Sequence, residues 1–258
     1  MSPPRTNAAV TVAQIDPKLG EATGNRARTV EIIRENRDSD LIVMPELVTS
    51  GYSFNSHAEV EEVAEPVDGP TAQAWKDVAA ETGTWVIGGF PERDGGSLYN
   101  SALVASPRGI EGVYRKIHLW NEENRWFNSG SEVPTFETPF GRLGIQICND
   151  IWFPELTITQ AQDGAEIIVL PTNWVPEESG RPSCWTTGVH QAIAHANANR
   201  VFIACADRVG TERNVTFEGQ SVVVSPDGVP LVGPLPDSGS HTATATCDSP
   251  QARHTLLP

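Results

Sequence analysis

Short apolar runs rich in Val and Ile recur along almost the whole chain. They are "AAVTVAQI", "LIVMPE", "TWVIGGF", "SLYNSALVAS", "GVYRKIHL", "RLGIQIC", "EIIVLP", "RVFIACADRV", "GQSVVVSP" and "HTATATC". Their length and β-branched content suit strands buried in a sheet. Roughly eleven such strands would crowd one open sheet, whereas two sheets packed face to face accommodate them. Between some of the runs lie segments with helical spacing. Residues 23–37 set Ala27, Val30, Ile33 and Arg34 on neighbouring turns, and 71–82 follow Pro70, a helix-opening residue. Residues 156–163 follow "PE", and 190–199 are rich in Ala and Asn. The turn signals "DGG" and "PDG" predict hairpins after "TWVIGGF" and "QSVVVSP". Strand–helix–strand units mixed with hairpins predict an α/β fold, with mixed sheets and helices on their outer faces.

With 258 residues the chain is long enough to bury a sizeable core, and 39% hydrophobic against 20% charged residues is ordinary for a globular protein. The 33 acidic against 18 basic residues give a formal charge of −15, which argues against nucleic acid or an anionic membrane surface as partner. Cys148, Cys184, Cys205 and Cys247 are scattered and form no CxxC pair. The histidines show no metal-ligand spacing, so neither a metal nor a cofactor is expected. The N-terminus lacks the pattern of a signal peptide, and no run approaches the ~20 apolar residues of a membrane helix. A cytoplasmic protein is expected. No stretch reads as an interdomain linker, which predicts one domain over 1–258. The loops are "PEESGRP" (176–182) and "PLPDSGS" (234–240), and the C-terminal ~20 residues, ending "SPQARHTLLP", form an arm or a frayed end.

Three of the apolar runs carry reactive groups where turn residues are usual. "LIVMPE" runs into Glu46, "GVYRKIHL" holds Lys116, and "RLGIQIC" stops at Cys148. Ligand sites in parallel sheets lie beyond the carboxyl ends of strands, so these groups can converge. Singly, each has an ordinary alternative: a solvated loop acid, an exposed strand lysine, a small buried hydrophobe. Together they make chemical sense. A thiol attacks only as thiolate and needs a base or an electropositive setting. Glu46 accepts the proton if burial raises its pKa, and Lys116 holds the developing oxyanion with a backbone N–H such as that of Asn149. A helix over "PELTITQAQ" would add its positive end.

Read with their neighbours, these segments resemble the nitrilase superfamily of carbon–nitrogen hydrolases. "LIVMPELVTSGYSF" is similar to its glutamate motif, "VYRKIHLW" to its lysine motif and "GIQICNDIWFPE" to its cysteine motif, in the family's order. "VLPTNW", "HANANRVFIACADRVG" and "FEGQSVVVSPDG" extend the resemblance over about 8–235. It implies a four-layer αββα sandwich, a Glu46–Lys116–Cys148 triad, a thioester intermediate and homodimers or larger assemblies. A second glutamate is expected after the lysine motif. In "EENRWFNSG", Glu123 matches better than Glu122, and would orient Lys116 and the substrate. The family's Arg-Ala-x-Glu-Asn is replaced here by His195, Ala196, Asn197, Ala198 and Asn199. His195 reads as a hydrogen-bonded helix residue and His118 as part of its strand.

True nitrilases of the superfamily usually carry Trp after the cysteine, where this chain has Asn149. "CND" resembles carbamoyl-amino-acid hydrolases, but Ile151 and Trp152 replace the arginine pair that would receive a carboxylate. "WFPE" resembles carbamoylputrescine amidases. The resemblance is therefore closest to amidase- and carbamoylase-like members. A small linear amide with an apolar or cationic tail is the expected substrate, and its hydrolysis would release ammonia and a carboxylic acid. The pocket candidates are Tyr52, Asn149, Asn173 and Trp174. Trp152 either lines the pocket or packs beneath the helix, and Trp120, Trp126 and Trp185 suit core or dimer-interface positions equally. The rival readings are an N-carbamoyl amine hydrolase, a nitrilase, a non-catalytic scaffold, and a glutaminase subunit dependent on a synthetase partner.

Overall fold

The computed structural model describes residues 7–176 and 185–248. The alternating apolar runs build two six-stranded mixed sheets. In the first, β1 (Asn7–Gln14), β2 (Leu41–Val43) and β3 (Trp85–Asp94) are parallel neighbours. The antiparallel strands β4 (Ser97–Ser106) and β5 (Gly109–Arg115) extend one side. In the second, β6 (Thr135–Thr138) and β7 (Gly141–Ile145) form a hairpin; β8 (Ile167–Thr172) and β9 (Phe202–Asp207) then continue in parallel with β7. The remaining strands are β10 (Thr211–Glu212) and β11 (Val215–Thr216), a separate ribbon, then β12 (Val222–Val224), β13 (Pro230–Val232) and β14 (His241–Asp248). β12 and β13 close the second sheet, and β14 returns to pair with β1 at the edge of the first.

The sheets pack face to face. Val10, Val12, Leu41, Val43 and Ile87 of the first share one buried core with Leu143, Ile145, Ile167 and Val169 of the second. Helices cover the outer faces: α1 (Ala22–Glu35), α2 (His57–Val63) and α3 (Pro70–Thr82) belong to the first half. The short α4 (Glu123–Trp126) packs by α2, while α5 (Pro154–Gln162) and α6 (Thr187–Asn199) belong to the second. Ile32, Ile33, Trp75 and Val78 of α1 and α3 pack on Ile42, Val86 and Leu103, while Val189, Ala192 and Ala196 of α6 belong to the same continuous apolar cluster as the second sheet. The architecture is the αββα sandwich expected.

Both hairpins form, the first across Gly95 and Gly96 and the second through Ser225–Gly228, closed by the Gly228 N–H on the Ser225 carbonyl. Two local expectations need correction. The buried face of α1 is Asn25, Thr29, Ile32 and Ile33, with Ala27 and Arg34 exposed. Hydrogen bonding turns that face inward: Asn25 binds the Lys18 and Thr49 carbonyls, and Thr29 takes the Trp75 indole N–H at 2.8 Å. β5 stops at Arg115, so Lys116 and His118 lie beyond the strand. The helix expected over "PELTITQAQ" is α5, and Cys148 opens a separate 3-10 turn, Cys148–Trp152, ahead of it. The 234–240 stretch is a loop, whereas most of the "PEESGRP" loop, Cys184 and the end of the C-terminal arm lie outside the described residues. Cys148, Cys205 and Cys247 are free and buried. Among the described residues no helix is long and apolar enough to cross a membrane, and no cluster of His, Cys, Asp or Glu suits a metal ion.

Candidate active site

Glu46 reaches its place through an extension of the parallel ladder past the end of β2. The Met44 N–H binds the Ile87 carbonyl and the Gly89 N–H binds the Pro45 carbonyl, pressing the turn onto β3. Only glycine permits that contact, because a Cβ at Gly89 would stand 2.1 Å from the Leu47 nitrogen. The Glu46 side chain is fully buried. Its Oε1 accepts from Asn100 Nδ2 and from Lys116 Nζ, both at 2.7 Å, and its Oε2 has no partner.

Lys116 is fixed through its backbone, with its N–H on the Asn100 carbonyl and its carbonyl on the Gly130 N–H. Its ammonium also donates to Glu123 Oε1 at 2.8 Å. That oxygen takes the Tyr52 hydroxyl at 2.5 Å as well, while Glu123 Oε2 accepts the Trp120 N–H. One buried cation thus sits between two buried carboxylates. Burial raises the Glu46 pKa to about 7, the pull of Lys116 opposing it and repulsion from Glu123 adding to it. Burial works against the Lys116 ammonium, but Glu123 and Glu46 outweigh it and hold its pKa above the ordinary value.

Cys148 enters from the opposite sheet. It follows β7 with a backbone φ of 45°, a left-handed conformation that side chains larger than glycine rarely adopt. The turn is clamped by Asp150, fully buried, whose Oδ2 accepts the Ile147 N–H at 2.9 Å and the Tyr114 hydroxyl at 2.7 Å. Its Oδ1 accepts the His118 N–H at 2.9 Å and meets the ring Nδ1 at 3.0 Å. The His118 ring stacks on Phe153 at 3.6 Å. Asp150 therefore ties the cysteine turn to the lysine segment. Burial, then repulsion from Glu46, pushes the Cys148 thiol pKa well above its ordinary value. Lys116, the Thr172 hydroxyl and the Asn173 N–H pull the other way, toward thiolate. Lys116 is thus an electropositive neighbour of the sulfur.

The thiol is not sealed in hydrocarbon. It lines a cavity of about 510 Å³ with Asn149, Trp152, Asn173, Trp174 and Trp120. Asn149 Nδ2 donates to the His118 carbonyl. Trp152 is 38% exposed and forms a wall. Trp174 is buried against α6, where a Cβ on Gly188 would meet its ring at 2.1 Å. Asn173 is 3% exposed, yet among the described residues neither its Oδ1 nor its Nδ2 has a partner. Tyr52 lines an adjoining cavity of about 520 Å³, with its hydroxyl committed to Glu123. The two cavities share Trp120, Asn121, Val175 and Pro176 as walls. Trp120 is thus a cavity residue at 40% exposure, while Trp185 packs on the core beside His190.

Every residue singled out from the sequence lies in or beside this region. Asn100, Tyr114, Asp150 and Thr172 were missed. Asp150 alone left a trace, as an acid within "CNDIW", where every other neighbour is apolar or amide.

A carbon–nitrogen hydrolase family model matches residues 9–255. A nitrilase of Pyrococcus abyssi is 37% identical over 84% of this chain and 81% of its own length. An (R)-stereoselective amidase of a Pseudomonas species is 32% identical over 94% of this chain and 86% of its own. Among solved structures, a CN-hydrolase superfamily protein of Xanthomonas campestris bearing an arsenic adduct in its active site superposes with a TM-score of 0.81. The identity is 25%, over 93% of this chain and 91% of that one.

Proposed function

The chain belongs to the carbon–nitrogen hydrolase family, and on that premise we propose that it is a cysteine amidase acting on a small linear amide. In this reading Glu46 Oε2 takes the Cys148 proton, and the thiolate adds to the amide carbon. Lys116 Nζ and a backbone N–H hold the oxyanion. Collapse of the adduct expels ammonia, which carries the proton returned by Glu46, and leaves a thioester on Cys148. Glu46 then deprotonates a water that attacks the thioester; the C–S bond breaks, the carboxylic acid departs, and the proton held by Glu46 returns to the Cys148 sulfur. Glu123 orients Lys116. The Glu46 pKa, raised to about 7, supports the base role, because a base works best near the ambient pH.

The observation that favours an amide is Asn173. A buried carboxamide with donor and acceptor both unpartnered forgoes about 1–3 kcal/mol at each atom. An amide supplies an oxygen and an N–H to satisfy it; a nitrile supplies an acceptor alone. Among the described residues no Lys or Arg lines the cavity that holds Cys148, which disfavours a carboxylate tail. The (R)-stereoselective amidase among the relatives supports the same choice. Assembly into homodimers or larger oligomers belongs to the same proposal.

The test is ammonia release from amide, N-carbamoyl and nitrile compounds sharing one tail, with intact-mass detection of adducts on Cys148. Amides should turn over fastest and leave a transient acyl mass on the native chain but none on Cys148→Ala. Preferred turnover of the nitrile, or of the carbamoyl compound with carbon dioxide release, would move the assignment accordingly. No turnover of any of them, and no adduct, would remove it.

A further inference from the structure

The segments "DRVG" (207–210) and "FEGQS" (217–221) have no part in the chemistry above, yet they frame a fully buried guanidinium. Arg208 binds Glu212 Oε1 through one nitrogen, and through another binds Asp16 Oδ1 at 3.2 Å and the Pro17 carbonyl at 3.1 Å. Its guanidinium carbon lies 4.0 Å from the centre of the Phe217 ring, which meets the Tyr52 ring edge-on at 6.0 Å. Glu212 divides its carboxylate. One oxygen takes Arg208, and the other accepts the N–H groups of Tyr52 at 2.8 Å and Ser53 at 2.9 Å.

A buried ion pair is a poor source of stability, since well-packed apolar residues of the same volume serve as well or better. What this pair supplies is direction. It pins both ends of Tyr52, the backbone to Glu212 and the ring to Phe217. The Tyr52 hydroxyl then meets the same Glu123 oxygen that receives Lys116 Nζ. Sharing that oxygen with a hydroxyl weakens its hold on the ammonium and leaves Lys116 freer to turn to an oxyanion.

We propose that Glu212, held by Arg208, is a positioning residue that acts through Tyr52 and Glu123 on Lys116. The inference rests on the reading of Lys116 as the oxyanion-stabilising group. It predicts that Tyr52→Phe and Glu212→Gln have the same consequence, because the first removes the hydroxyl that binds Glu123 and the second loosens the backbone that aims it.

The experiment is a double-mutant cycle on kcat, with KM, pH profile and thermal midpoint measured for each variant. Each single variant should lose about tenfold in kcat with KM little changed, the equivalent of one hydrogen bond of about 1.4 kcal/mol. The double variant should fall no further than Tyr52→Phe, since the second change acts through the first. Both singles should shift the acid limb of kcat/KM upward, because Glu123 then presents an unshared charge to Glu46. Losses that multiply to about a hundredfold would overturn the proposal. So would a lower thermal midpoint with unchanged kcat, which is the mark of a purely structural pair. Should Glu212→Gln fail to fold, Glu212→Asp takes its place, keeping the charge but withdrawing it from the Tyr52 and Ser53 N–H groups. The same kcat loss is expected there, and an unchanged kcat overturns the proposal. Full turnover by Lys116→Ala would instead overturn the underlying reading, so the two failures are told apart.

Discussion

Glu46, Lys116 and Glu123 form a buried group with one cation and two acids, and its charge balance sets a pH dependence. The thiol proton needs an ionised Glu46, and burial raises the pKa of that carboxyl to about 7. A carboxyl shifted upward is protonated, and useless as a base, below its new value. The kcat/KM of the native enzyme should therefore fall about tenfold per pH unit on the acid side of an apparent pKa near 7. That value belongs to the coupled group rather than to Glu46 alone. A profile flat down to pH 5 would show that Glu46 is not the base. Lys116→Ala should abolish turnover and also cost about 3–5 kcal/mol of stability near pH 8, because it leaves two carboxylates buried without their cation. The sign follows from linkage: the Glu46 carboxyl, already raised by burial, would lose the cation that opposes the rise, so the stability loss should shrink as pH falls and it takes up a proton. Urea unfolding at pH 8 and pH 5 measures this. Cys148→Ala should abolish turnover with stability within about 1 kcal/mol of native. These three residues were legible in the sequence because each breaks an apolar run. Asn100, Thr172 and Glu212 were not, since a polar residue in an alternating strand or a short ribbon reads as an ordinary outward face until its partner is known.

At the level of elements, most of the strands and the four longer helices could be read from periodicity, because each has enough turns or alternations to show it. The four-residue β6, the short α2 and α4 and the β10–β11 ribbon could not. α2 rests on one local cap, the Ser56 hydroxyl accepting the Glu59 N–H, and the ribbon is two residues paired with two. Such pieces are set by what they pack against. The cysteine turn was unread for the same reason: "PE" marks the start of α5, but the clamp that shapes residues 148–152 comes from Tyr114 and His118, distant in the chain. The contact of the Glu46 turn with β3 makes a sharp prediction here. Gly89→Ala would set a methyl 2.6 Å from the Glu46 Cα, and both neighbours are backbone that cannot rotate aside. Stability should fall by about 1–3 kcal/mol, and kcat by about a hundredfold through a displacement near 1 Å. A native kcat in that variant would show the turn to be tolerant and its registry unimportant to the reaction.

Across the whole molecule, the acid and the amine belong to one sheet and the thiol to the other, so the site exists only while the sheets hold their spacing. The core between them is where stability and chemistry are coupled. Ile87, on the inner face of β3, packs in that core beside the carbonyl that anchors Met44; Ile33, on α1, packs in the outer layer. Both are fully buried. Truncation to alanine at either position should cost a similar 2–5 kcal/mol or so, depending on how far each site collapses. Their effects on turnover should differ. Collapse around Ile87 draws the Glu46 turn toward the opposite sheet and should reduce kcat about tenfold or more. Collapse around Ile33 moves a helix against the far face of the first sheet and should leave kcat within about twofold of native. Chemical denaturation and steady-state kinetics on both variants check the pair. Equal losses of kcat would mean that the first sheet moves as a rigid plate and passes any displacement across its thickness, and the placing of Glu46 would then depend on the whole layer rather than on its inner face.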